Sequence, residues 1–190
     1  MYWKNLPIEY YDFRTKSWLT LCDVQNWRSC SAMVAHGTCL YLIGGEETDA
    51  ESPTGSRTVN RVTRYDCEKK SWITVPSMQL ARRWSGSIVI DNKIFVIGGI
   101  GGKGGTFEKR LDSMEMLDLD SVDWKASKKD RNKNGPKWKM LTPMSTPRSS
   151  HSVEVLDGNI YVVGGGDGRE WLCTAECYNP RTLRWSNIAR

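Results

Sequence analysis

Hydrophobic and polar positions alternate along this chain in short runs rather than in the 3.6-residue rhythm of a helix. The clearest set is near the C-terminal end, where apolar alternations at 150–156, 159–164, 174–178 and 184–188 are divided by turn-forming residues such as Asp157-Gly158. A period of two marks half-buried strands, and Asp-Gly between two such runs marks a hairpin. The pattern therefore predicts four short antiparallel strands in one unit, the composition of a propeller blade.

The unit recurs. "LYLIGG" at 40–45, "IFVIGG" at 94–99 and "IYVVGG" at 160–165 share an order of apolar residues that ends in a glycine pair. Arg28, Arg82 and Arg148 stand 16 residues before Gly44, Gly98 and Gly164, and Trp18, Trp72 and Trp138 stand 10 before those arginines; Trp185 closes the series. Tyr11-Asp12, Tyr65-Asp66 and Tyr178-Asn179 each place a tyrosine seven residues before a tryptophan. The stretch from tryptophan to glycine pair is fixed, whereas the stretch from there to the tyrosine varies, as expected of rigid cores joined by tolerant loops. In the second of these units Leu117-Asp118 replaces Tyr-Asp, and Trp124 competes with Trp138. Trp138 has Met144 and Arg148 at the distances that Trp72 has to Met78 and Arg82, so Trp138 is the repeat tryptophan and 125–136 an insertion.

These residues resemble the Kelch repeat, most closely that of the BTB-Kelch proteins. "PRSSHSVEVLDGNIYVVGGGDG" and "AECYNPRTLRW" within 147–185 carry the resemblance, with weaker copies at 28–78 and 82–144. It implies an all-β fold, a partial Kelch β-propeller of four-stranded antiparallel blades: an outer half-blade at 8–21 and blades at 28–77, 82–142 and 148–188. It also implies that Gly44-Gly45, Gly98-Gly99 and Gly164-Gly165 end the second strand near a crowded centre, and that Trp18, Trp72, Trp138 and Trp185 fill the space between blades. Closed propellers need about four or more blades, so the arc is expected to be a fragment of a longer chain whose end faces pack on neighbours.

Strand alternation brings the loop before strand one and the loop between strands two and three to the same face. That face gathers Arg28, Ser29, Glu46, Glu47, Arg82, Arg83, Lys103, Arg148, Ser149, Ser150, Asp167 and Arg169 as candidate partner-binding residues. The resemblance implies an acidic or polar degron peptide there, and a guanidinium fork suits a carboxylate. The other reading of Arg28, Arg82 and Arg148, as braces of the blade-to-blade turns, stands beside it. The resemblance points to the substrate-binding part of an adaptor for a cullin-type ubiquitin ligase, with a BTB segment ahead of Met1; actin binding is the alternative.

Composition trims the remaining classes. The 190 residues carry a net charge of +5, but 125–139 alone holds seven bases against Asp130, a local +6 that leaves −1 for everything else. Such a tract reads as a solvated loop, and nucleic acid is not the expected partner. Gly99, Gly101 and Gly104 match a dinucleotide-binding spacing, yet no helical stripe follows and Lys103 precedes Gly104 instead of a Ser or Thr, so Ile100 to Gly105 read as a permissive loop. The six cysteines form no C-x-x-C pair, and His36 and His151 stand at unmatched positions. No metal, cofactor or galactose-oxidase-like copper chemistry is therefore expected, and the chain reads as a non-enzyme. Neither a membrane span nor a signal peptide is legible; the expected location is the cytoplasm, with the nucleus as the alternative.

Overall fold

The computed structural model describes residues 6–25, 27–52, 55–103, 109–125 and 137–188. The insertion expected at 125–136 falls outside them apart from Lys125, as do Gly104 and Gly105. In chain order the strands are β1 (Pro7–Asp12), β2 (Ser17–Asp23), β3 (Ala32–His36), β4 (Cys39–Ile43), β5 (Glu46–Thr48), β6 (Ser56–Thr58), β7 (Val62–Asp66), β8 (Ser71–Val75), β9 (Ala81–Arg83) and β10 (Gly86–Ile90). They continue as β11 (Lys93–Ile97), β12 (Ile100–Gly102), β13 (Lys109–Arg110), β14 (Met114–Asp118), β15 (Lys139–Leu141), β16 (Ser152–Leu156), β17 (Asn159–Val163), β18 (Ala175–Asn179) and β19 (Arg184–Ile188).

Three four-stranded antiparallel sheets, β3-β4-β7-β8, β10-β11-β14-β15 and β16-β17-β18-β19, follow a two-stranded sheet, β1-β2. The fold is a partial Kelch propeller, as the repeat implied. The first strands lie side by side, β10 against both β3 and β16, which sets them at the inner rim of the arc. The Asp157-Gly158 turn has positive φ at both residues, and so does its counterpart Asp91-Asn92. This is the backbone that a two-residue hairpin between right-twisted strands demands.

The apolar run in β11 shows why the repeat packs. Ile94 and Val96 point into a core shared with Ile43, Val62, Val75 and Met78 of the second blade. Phe95 and Ile97 point the other way, into a core shared with Ile160, Val162 and Tyr178 of the fourth. A strand buried on both faces must be apolar at every position.

The tyrosine-to-tryptophan spacing of seven has a simple cause: Tyr11 and Trp18, Tyr65 and Trp72, Tyr178 and Trp185 are directly opposed partners of the last hairpin in each blade. Their rings sit 5.6, 5.2 and 5.1 Å apart. Each later tryptophan also donates its indole N–H across to the segment that closes the preceding blade, Trp72 to the Asp23 carbonyl at 3.0 Å, Trp138 to Pro76 at 2.8 Å and Trp185 to Thr142 at 2.8 Å. Trp138, not Trp124, is thus the repeat tryptophan. Trp124 instead packs edge-on to Tyr41 beneath the Arg64 guanidinium. Trp18 departs from the expectation: with no blade before it among the described residues, it is 67% exposed and fills no inter-blade space.

One loop reading is corrected. Ile100–Gly102 is not loose chain but β12, the middle strand of a small sheet with β9 and β13. Gly101 makes this pairing close, because a Cβ there would stand 2.0 Å from the Ala81 carbonyl oxygen.

Candidate partner-binding site between the third and fourth blades

The three repeat arginines are inside the blades. Arg28, Arg82 and Arg148 are 4%, 0% and 1% exposed. Arg82 donates from Nη1 to the Gly98 and Ser113 carbonyls (both 2.9 Å) and from Nη2 to Glu115 (3.0 Å). Arg148 repeats this with Gly164 (3.0 Å), Thr174 (2.9 Å) and Glu176 (3.2 Å). They brace the crossing between strands two and three, so the bracing reading replaces the partner-binding one: Arg82 and Arg148 have their donors spent on their own blade, and Arg28, buried likewise, turns its terminal nitrogens to the Arg61 and Leu42 carbonyls and not to the outer face.

Most of the other candidates are also engaged. Glu46 pairs with Arg83 at 3.2 Å and accepts from the Ser56 hydroxyl, and Glu47 holds Arg57 and Arg61, each at 2.8 Å. Ser29 exchanges both backbone hydrogen bonds with Glu46 (2.9 and 2.8 Å). Asp167 accepts from the Arg169 and Glu170 amides at 2.7 and 2.9 Å, which shapes its turn and, with the Glu170 amide first, holds its carboxyl below the usual range. Lys103 is exposed at the end of β12, apart from the cavity described next.

The remaining candidates converge. Ser149, Ser150 and Arg169 line a cavity of about 400 Å³ together with Trp84, Ile100, Arg110, Gly166, Gly168, Glu170 and Trp171. Two features of the backbone build it. Trp84 and Ser150 each follow their repeat arginine by two residues and adopt positive φ (51° and 55°). The Trp84 N–H donates to Cys30 and the Ser150 N–H to Trp84, both at 3.0 Å, so a hydrogen-bonded rung along the inner rim fixes these unusual conformations. On the opposite wall, Gly168 gives Arg110 room; a Cβ there would come within 2.8 Å of Nη1.

Its chemistry suits capture. Trp171 is 81% and Trp84 43% exposed, an unusual cost for large apolar rings unless they meet something. Arg83 lies over the Trp84 ring, 5.0 Å from its centre. Arg110 and Arg169 outnumber Glu170, and the Arg110 Nε is buried with no hydrogen-bond partner in the described structure. Sequence reasoning missed Trp84, Arg110 and Trp171. A signal existed, since Trp84 and Trp171 lie outside the repeat register that accounts for Trp18, Trp72, Trp138 and Trp185. Among the described residues no three His, Cys, Asp or Glu side chains are grouped to hold a metal ion.

Behind this cavity, His151 is wedged between blades, close enough to Gly98 that a Cβ there would be 2.7 Å from its Cε1. Burial, then the Arg148 charge, push its pKa down to about 4, with only partial compensation from the Ile97 backbone.

Comparison with known proteins bears on the repeat and its fold. The model of the KLHDC2/KLHL20/DRC7 Kelch-repeats domain matches residues 31–190. The chain is 27% identical over 192 residues to the human Kelch repeat and BTB domain-containing protein 12, covering 96% of this chain and 29% of that protein. It is 31% identical to Kelch repeat protein C2 of vaccinia virus (strain Western Reserve), covering 83% and 25%, and 28% identical to alpha-scruin of Limulus polyphemus, covering 88% and 17%. The chain thus spans less than a third of the length of these curated relatives. The solved structure of YjhT superposes with a TM-score of 0.70 at 14% identity, over 91% of this chain and 55% of that one, a likeness of fold.

Proposed function

The chain belongs to the KLHDC2/KLHL20/DRC7 Kelch-repeats domain family, and from that premise we propose that it is a protein-interaction module which holds a carboxylate-bearing peptide between Trp84 and Trp171. The observation that carries this reading is the cavity itself, where two arginines and two serines stand between a half-exposed and a largely exposed indole. A guanidinium binds a carboxylate through parallel charge-assisted hydrogen bonds, and flanking indoles cover the apolar part of a peptide at small entropic cost. Walls and cationic donors of this kind support binding rather than turnover.

The finer part of the proposal is that the module presents substrates to a cullin-type ubiquitin ligase in the cytoplasm or nucleus. It is supported by relatives whose names join Kelch repeats to a BTB domain and which are several times longer than this chain. The test is the mass of the endogenous polypeptide, together with immunoprecipitation probed for a cullin. A long polypeptide that brings down a cullin supports the adaptor reading; one that brings down none contradicts it and leaves the interaction module.

A further inference from the structure

In the third and fourth blades the buried arginine meets a glutamate, and in the second it does not. Glu115 lies opposite Val96 and Glu176 opposite Val162 across strands two and three; Thr63 holds the same place opposite Leu42. Besides its arginine, Glu115 accepts the backbone N–H groups of Gln79 and Leu80 (2.6 and 3.1 Å), and Glu176 those of Ser145 and Thr146 (2.7 and 3.2 Å). Each carboxylate thus neutralises the arginine and ties down the segment that leads into its blade.

Thr63 can do neither. Arg28 donates to the Arg61 carbonyl (2.7 Å), the Leu42 carbonyl (3.2 Å) and the Thr63 hydroxyl (3.0 Å), all neutral acceptors, and its Nε has no partner among the described residues. Among the described residues no carboxylate lies within ion-pairing distance of it, and Glu47, whose charge reaches it, is engaged by Arg57 and Arg61. Burial, reinforced by the Arg61 charge, lowers the Arg28 pKa to about 10, which still leaves a full positive charge at neutral pH. A buried cation with no ion-pair partner of its own is unfavourable, and the sister blades show what relieves it at this position.

We propose that Arg28 and Thr63 form an anion site for a small carboxylate of formate or acetate size, seated where the Glu115 and Glu176 carboxylates stand in the neighbouring blades. Threonine lacks the carboxyl group of glutamate, and the ligand supplies it. The proposal is independent of the cavity at Trp84 and Trp171.

Thermal unfolding and ¹³C-formate line widths test it, with formate replacing a bulky sulfonate at constant ionic strength. At about ten times its Kd, formate is expected to raise the Tm of the native chain by about 3–6 °C. The ¹³C line is expected to broaden and to sharpen again when unlabelled acetate is added. T63E provides the carboxylate internally: its Tm is expected to be higher than that of the native chain and independent of formate. Should T63E not fold, R28M, which removes the cation, is expected to lose the broadening, and a folded R28M that keeps it overturns the proposal. A native chain whose Tm and formate line are both indifferent to formate overturns the proposal, as does a folded T63E that responds as the native chain does.

Discussion

The Gly45 N–H donates to the Arg82 carbonyl at 2.7 Å, and one blade further on the Gly99 N–H donates to Arg148 at the same distance. The end of strand two in the second and third blades is thereby fastened to the first turn of the next. The glycine just before each donor crowds the same carbonyl: a Cβ at Gly44 would lie 2.3 Å from the Arg82 oxygen, and one at Gly98 2.4 Å from the Arg148 oxygen. At Gly164 the closest atom is 3.5 Å away.

Gly98→Ala therefore separates blades three and four and is expected to cost more than about 3 kcal/mol, because it adds a backbone clash to the strain of a positive φ. Gly164→Ala has the strain alone and is expected to cost about 1–2 kcal/mol. Urea unfolding of both variants checks the difference; equal losses would show that the crowding at Gly98 is not what requires glycine.

Glu115→Gln leaves Arg82 buried without its charge partner. Both residues are fully buried, so the expected loss is about 3–5 kcal/mol, far above that of an exposed pair such as Arg57 and Glu47. Denaturant midpoints for E115Q and R57Q in parallel test the contrast, and similar effects would contradict it.

Much of this was legible in the sequence because the repeat is itself a contact pattern. A Tyr and a Trp seven apart are cross-strand partners, and the interval from Arg28 to Gly44 is the path from the first turn of a blade to the end of its second strand. The cavity was less legible, since Arg110 and Trp171 belong to connections between strands two and three whose lengths differ between blades, and Trp84 meets them only once the blades pack. The fate of the arginines turned on what else reaches that position: Glu115 and Glu176 lie 33 and 28 residues from their partners, beyond any local pattern.

His151 gives the arc an acid-sensitive joint. Its folded pKa of about 4 lies below the unfolded value near 6.5, so the stability that the neutral ring allows is complete above pH 6.5 and is lost as the pH falls towards 4. The loss reaches up to about 3 kcal/mol. Chemical denaturation between pH 7 and pH 4 is expected to show a steeper decline for the native chain than for H151L; parallel curves would mean that other groups govern the acid response.

The two ends of the tryptophan series should respond differently. Trp138, 1% exposed and bonded to Pro76, is expected to cost about 3–5 kcal/mol when replaced by alanine. Trp18, two-thirds exposed, is expected to cost less than about 1 kcal/mol. Thermal melts of W138A and W18A decide it, and a large loss for W18A would place a contact on that face which the arc does not show.

The central claim is that the cavity between Trp84 and Trp171 binds a carboxylate-bearing peptide. The most direct measurement is a fluorescence-anisotropy screen of a peptide library in which each acidic member is matched by its amide counterpart, with the native chain, W171A and R110E. The account predicts acidic peptides that bind the native chain, weaken at least tenfold on amidation and are lost with either variant while its Tm is unchanged. Binding that ignores the carboxylate, or that survives both W171A and R110E, would contradict it.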